Sequence, residues 1–219
     1  MLIITDILDE SDLERVRHGL DDTAFADGRR TASGAARRVK ANRQALATDP
    51  KAEALGRFVR QALERNALFQ LYARPARWAK VLFNRYGPGE AYGLHLDDAL
   101  MGGEAARLRT DLSFTLFLSD PQDYEGGELV IDEAGGEQAV KPPAGAVVVY
   151  PTGALHRVQA VTAGERLAAV GWMQSLVRRA DEREVLFDLG RARAALAQGE
   201  PALLIDKAIS NLVRFWCEP

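Results

Sequence analysis

The chain has 219 residues, 47% hydrophobic and 27% charged, with a formal net charge of −3; that balance fits one globular core plus a small appendage and gives no electrostatic case for nucleic acid or an anionic membrane as partner. A single cysteine, Cys217, excludes an internal disulfide framework and fits a reducing compartment. The longest apolar run, around 145–149, is far short of a membrane span, and with no leader-like start the chain is expected in the cytoplasm.

Leu2, Ile3 and Ile4 suit a short strand. Ser11-x-x-Glu14 has the pattern of a capping box, and Leu13, Val16 and Leu20 follow at helical spacing. Residues 28–36, rich in Gly, Ser, Thr and Arg, read as a loop. Within and beyond it lie Arg29, Arg30, Arg37, Arg38, Lys40 and Arg43. A solvated loop face accounts for this basic stretch; an anionic substrate or partner is the other reading. Residues 51–66 read as a helix with Leu55, Phe58, Val59, Ala62 and Leu63 on one stripe.

The pattern changes near Arg77. Strands are expected at 78–86, 108–118, 127–131, 137–141, 145–150, 155–161 and 166–176, separated by Gly, Pro and Asp turn signals. Many short strands at this spacing predict a mainly β fold, a double-sheet jelly roll with flanking helices. Residues 180–198 and 202–216 return to helix, broken by Gly199-Glu200-Pro201. The expected organisation is one domain over 1–178, with N-terminal helices and a jelly roll from about 77, and a C-terminal helical appendage over 179–219. Leu204, Leu212, Phe215 and Trp216 of that hairpin could form an oligomer interface or cover the barrel.

Only three histidines are present. His18 falls late in the first helix, where a cation at a helix C-terminus explains it. His95 and Asp97 lie on an extended segment, where i and i+2 point to one side. His156 falls on a separate strand, which a barrel brings opposite. Two imidazoles and a carboxylate suit Fe(II) with open coordination positions, although zinc could take the same ligands. Arg166 follows on the next strand. A buried guanidinium must be paired, either with a structural Asp or Glu or with a carboxylate delivered from solution. On the strand before, one face carries Leu112, Phe114, Leu116 and Leu118 and the other Asp111, Ser113, Thr115 and Phe117. Ser113 and Thr115 imply either solvent or something polar inside.

The stretches Asn84-Arg85-Tyr86, Tyr92-Gly93-Leu94-His95-Leu96-Asp97-Asp98-Ala99, Tyr124-Glu125-Gly126-Gly127-Glu128-Leu129, Leu155-His156-Arg157-Val158 and Gly171-Trp172-Met173-Gln174-Ser175 resemble the Fe(II)/2-oxoglutarate-dependent dioxygenases. The closest likeness is to the bacterial prolyl/lysyl hydroxylase-like (PKHD-type) branch, associated with iron homeostasis; it covers about 78–178. The resemblance implies a double-stranded β-helix. It implies that His95, Asp97 and His156 hold Fe(II), that 2-oxoglutarate chelates the iron, and that Arg166 binds the distal carboxylate. O2 would be the second cosubstrate and ascorbate a reductant. Oxidative decarboxylation would be coupled to C–H hydroxylation of a small-molecule or peptidyl substrate, amino-acid-like or siderophore-related.

Several relatives place a tyrosine where Phe117 stands, to help the basic residue. Thr115 and Tyr86 are the candidates to replace it here. Leu129 and Trp172 would line the pocket by the same likeness, and both also suit an ordinary core. The carboxylate at Asp97 speaks against a halogenase. No His-x-His occurs, which speaks against a cupin-type site. An iron-binding barrel acting as a sensor or scaffold without turnover would carry the same ligands and is the alternative.

Overall fold

The computed structural model describes residues 1–103 and 107–218. In chain order its first part holds β1 (Leu2–Ile4), α1 (Glu10–Asp21), β2 (Phe25–Asp27), α2 (Gly34–Arg38), β3 (Lys40–Ala41), β4 (Arg43–Ala45), α3 (Pro50–Arg65) and α4 (Ala67–Ala73). Strands follow: β5 (Pro75–Trp78), β6 (Leu82–Tyr86), β7 (Ala91–His95), β8 (Leu100–Met101), β9 (Leu108–Arg109), β10 (Leu112–Phe117), β11 (Tyr124–Gly126) and β12 (Leu129–Glu133). Then come β13 (Gly136–Val140), β14 (Val147–Pro151), β15 (His156–Val158), β16 (Val161–Gly164), β17 (Arg166–Ser175), α5 (Ala180–Ala195) and α6 (Glu200–Trp216).

The large sheet runs β1-β14-β10-β17-β6-β4-β2, with β5 also on β17; the smaller runs β13-β12-β15-β7-β3. All pairings are antiparallel. This is the jelly roll the strand pattern predicts. Alternation along β10 decides its two faces. Leu112, Phe114 and Leu116 point outward and pack with Leu13, Val16 and Leu20 of α1 and Val59 and Leu63 of α3. Burying each such side chain contributes about 1.5–3 kcal/mol. Phe117 points inward, among Tyr86, Tyr124, Leu129 and Val148.

Several boundaries differ from expectation for identifiable reasons. The capping box does not form: Asp9 caps α1 by accepting from the Asp12 amide, and Ser11 donates to Asp9 from within the helix. The segment 28–36 is no plain loop, since a 3-10 turn (Gly28–Thr31) and α2 occupy it. The expected 78–86 strand is two: β6 pairs with Arg166–Val170 of β17, and β5 with the later Met173–Ser175 half. The expected 108–118 strand likewise divides into β9, which pairs with β8, and β10. Residues 155–161 divide between β15 and β16, which join different partners.

At the C-terminus, α5 packs on α4, where Tyr72 meets Phe187 edge-on at 5.3 Å. α6 packs on α5 and leaves Leu203, Leu204 and Phe215 exposed, while Leu212 and Trp216 are half-buried. Among the described residues, no helix is long and apolar enough to cross a membrane.

Candidate metal centre and its pocket

Both imidazoles arrive on neighbouring strands of the smaller sheet. β7 ends at His95, β15 begins at His156, and the two are direct antiparallel partners. Each ring is fixed by its own strand. His95 Nδ1 lies 2.8 Å from the Gly93 carbonyl oxygen, and His156 Nδ1 3.0 Å from that of Ala154. A carbonyl only accepts, so each Nδ1 carries the proton and each Nε2 keeps its lone pair.

Asp97 completes the set just past the end of β7. Its Oδ1 is 3.8 Å from His95 Nε2 and its Oδ2 3.6 Å from His156 Nε2. One donor atom from each of the three lies within 4.8 Å of the others. That spacing lets all three close on one ion with bonds of about 2.1 Å. Ser113 Oγ donates to Asp97 Oδ2 at 2.8 Å and lies 3.1 Å from Thr152 Oγ1. A serine has one hydroxyl proton; the carboxylate takes it, so Thr152 donates to Ser113 in turn. Burial pushes the His95 imidazole down to about 4, with His156 adding to the effect and the Gly93 carbonyl and Asp97 opposing it. The ring is therefore neutral at pH 7, the form that ligates a metal. Tyr92 stacks on it at 3.6 Å.

The cluster opens onto a pocket of about 790 Å³, part of it open to solvent. Its far wall is the inner face of the large sheet, where Ser113, Thr115, Trp172, Arg166, Asn84 and Tyr86 line it. Ser113 and Thr115 are both buried, so the polar face of β10 meets this interior and not solvent. Thr115 stands beside the Tyr150 hydroxyl, which burial raises well above its ordinary value. Leu129 also lines the pocket. His18 is exposed in the last turn of α1, outside the pocket lining.

Arg166 is only 1% exposed. Its guanidinium lies 5.3 Å from the Tyr86 ring and 4.9 Å from the Phe117 ring. Its Nε and Nη2 are buried with no hydrogen-bond partner, and no described Asp or Glu forms an ion pair with it. Among the described residues, none supplies the structural carboxylate that Arg166 would need. Space for the side chain comes from Gly127, at φ +68°, where a Cβ would stand 3.0 Å from Arg166 Cδ and 2.9 Å from Tyr124 Cε2.

Phe117 has no hydroxyl to offer Arg166, but two tyrosines stand beside the guanidinium from other strands. Tyr86 lies against Arg166 from β6, and burial pushes its hydroxyl up to about 12, so it stays a donor. Tyr124 lies beside Arg166 from β11, its hydroxyl buried without a protein partner. The sequence did not single out Tyr124. Its signal was the adjoining Gly126-Gly127 pair, whose meaning depends on β11 pairing with β16 just before Arg166. Lys40 was read only as one of a basic stretch, yet it is buried and lines the pocket.

Residues 81–174 match the 2OG-Fe(II) oxygenase superfamily. A PKHD-type hydroxylase of Picosynechococcus sp. (strain ATCC 27264 / PCC 7002 / PR-6) is 49% identical over 98% of this chain and 98% of its own. The chain belongs to the PKHD-type hydroxylases. Among solved structures, a Pseudomonas putida prolyl-4-hydroxylase shares the fold with a TM-score of 0.53 at 24% identity, covering 80% of this chain and 91% of that one. A Trichoplax adhaerens prolyl hydroxylase, solved with a peptide fragment, gives 0.58 at 17% identity, covering 84% and 86%. As a PKHD-type hydroxylase the protein is a 2-oxoglutarate-dependent dioxygenase that uses Fe(II), 2-oxoglutarate and O2.

Proposed function

We propose that His95, Asp97 and His156 hold the Fe(II), that Arg166 binds the distal carboxylate of 2-oxoglutarate, and that the molecule hydroxylated is amino-acid-like, peptidyl or siderophore-related. The observation that carries the residue assignment is Arg166: a buried guanidinium without an anionic partner among the described residues, in the same pocket as two imidazoles and a carboxylate. A buried charge is tolerated when a partner arrives, and a planar fork suits a carboxylate. When bound, the iron and 2-oxoglutarate supply the oxidising power for C–H hydroxylation.

The chain's own residues do the rest. The two backbone carbonyls fix the imidazole tautomers, and Thr152 and Ser113 hold Asp97 in place. Tyr86 and Tyr124 keep their protons beside Arg166 and can donate to the same carboxylate. Thr115 and Trp172 shape the wall against which the cosubstrate lies, Trp172 with a buried indole N–H that has no protein partner. The domain reading, 1–178 with an appended hairpin over 179–219, belongs to the same proposal, as do a cytoplasmic setting, supported by the single cysteine, and self-association through exposed Leu203, Leu204 and Phe215.

The test is anaerobic loading with Fe(II) followed by 2-oxoglutarate. A visible metal-to-ligand charge-transfer band is expected in the wild type, and succinate on admitting O2. Folded, iron-loaded protein that shows no band would count against the assignment.

A further inference from the structure

The pocket contains a second buried cation. Lys40 stands on β3, the edge strand of the smaller sheet, directly opposite Tyr92 of β7. It is 7% exposed. Its Nζ donates to Gln44 Oε1 at 3.1 Å and to Thr31 Oγ1 at 3.2 Å, and lies 5.0 Å from the centre of the Tyr92 ring, the ring that stacks on His95. An ammonium has three donors; these partners are neutral and account for two. No described carboxylate pairs with it. Its neighbours in sequence differ: Arg29 is closed by Asp27, and Arg43 by Glu90 and Glu165.

More unmet polarity surrounds it. Gln44 and Asn84 are cross-strand partners on β4 and β6, and both line the pocket. Gln44 Nε2 and Asn84 Oδ1 are buried without hydrogen-bond partners. One such atom is ordinary; two beside an ammonium without an anionic partner in one cavity describe a polar ligand. The cosubstrate does not account for it. Arg166 lies on β17 of the large sheet, between Tyr86 and Phe117, whereas Lys40 lies on the smaller sheet beneath Thr31, at the exposed 31–33 rim of the pocket.

We propose that Lys40 is a specificity-determining residue that receives an oxyanion, a carboxylate or a phosphate, of the molecule being hydroxylated, with Gln44 and Asn84 completing its recognition. The enzyme thus selects an anionic substrate. The inference rests on Arg166 serving the cosubstrate.

The test uses the full chain loaded with Mn(II), saturated with 2-oxoglutarate and titrated calorimetrically. The probes are N-acetylleucine, its neutral amide and inorganic phosphate. N-acetylleucine should bind at least about tenfold tighter than the amide, the scale of one charge-assisted contact. Lys40→Met should erase that preference and leave 2-oxoglutarate affinity within about twofold. Displacement of N-acetylleucine by phosphate would assign a phosphate-type anion; no displacement would assign a carboxylate. Acid and amide binding equally or not at all, or a preference that survives in Lys40→Met, would overturn the proposal. So would a tenfold loss of 2-oxoglutarate affinity in Lys40→Met, since Lys40 would then belong to the cosubstrate. The wild-type comparison of acid with amide stands even if the variant does not fold. Failure of the cosubstrate reading shows separately, as absent 2-oxoglutarate binding in the wild type before any probe is added; the acid and amide are then compared on the Mn(II) protein alone.

Discussion

Arg166 in the jelly roll and Arg183 in the C-terminal hairpin are both buried arginines, and they are finished in opposite ways. Arg183 Nη1 donates to the carbonyls of Val177 and Arg178 at 2.8 and 2.7 Å, so the chain itself completes it. Arg166 Nε and Nη2 have no hydrogen-bond partner among the described residues. Lysine repeats the contrast: buried Lys40 has neutral partners only, whereas exposed Lys51 is paired with Asp22. Buried polarity that a protein satisfies internally serves its structure. Buried polarity left open in a cavity is an invitation to a ligand, because desolvation has been suffered without the compensating bond.

The largest effect is expected at the histidines. His95→Ala should abolish stoichiometric metal binding, measured by equilibrium dialysis and metal analysis, while His18→Ala should bind as the wild type does. Equal loss in both would break the comparison outright. Next come the arginines. Arg166→Ala should weaken 2-oxoglutarate by about 2–5 kcal/mol, roughly thirtyfold or more. Arg183→Ala should leave that affinity alone and instead lower stability to urea by about 1–3 kcal/mol, since the buried Val177 carbonyl and the Arg178 carbonyl lose their donor. A cosubstrate defect in Arg183→Ala as large as in Arg166→Ala would show that burial alone, not the open valence, matters.

The convergence of these side chains was legible in the sequence because alternation and strand spacing constrain it: His95 and Asp97 two apart, His156 and Arg166 on later strands. The two-faced reading of Asp111–Leu118 was legible for the same reason, and burial then resolved which face was inside. What stayed hidden depends on pairing between distant strands. The division of β5 from β6 follows from the two halves of β17 having different partners, which no local pattern records. Tyr124 reaches Arg166 only through the β11–β16 register. Lys40 sat in a run of arginines whose composition says solvent; only the pairing of β3 with β7 brings it inside. The apparent capping box misled because Asp9, two residues earlier, caps the helix at the Asp12 amide, which leaves Ser11 inside it.

The serines sharpen the contrast at a smaller scale. Ser113 and Ser11 each donate to an aspartate at 2.8 Å. Ser113→Ala should cost about 10–100-fold in metal affinity, because Asp97 loses the bond that orients it. Ser11→Ala should change stability by less than about 0.5 kcal/mol, since that bond is exposed and Asp9 keeps the Asp12 amide. A metal affinity unchanged in Ser113→Ala would mean that the carboxylate needs no such hold.

The lysines give the smallest and most pH-dependent difference. Burial pulls the Lys40 ammonium from its ordinary 10.5 down to about 8, against the attraction of Asp97 and Asp27. Between those two values the unfolded chain holds a proton that the folded chain has released, so stability rises with pH there; below about 8 the full penalty of the buried charge is present. Lys40→Met removes that penalty. It should be more stable than the wild type at pH 7 by about 1–3 kcal/mol, and the gap should close as pH rises from 8 to 10.5. Lys51→Met, which breaks only the exposed pair with Asp22, should stay within about 0.5 kcal/mol of the wild type. Urea midpoints at pH 7 and pH 10 measure both. A Lys40→Met variant less stable than the wild type at pH 7 would mean that the ammonium is already well compensated by Gln44 and Thr31, and the distinction between the finished periphery and the open interior would then rest on Arg166 alone.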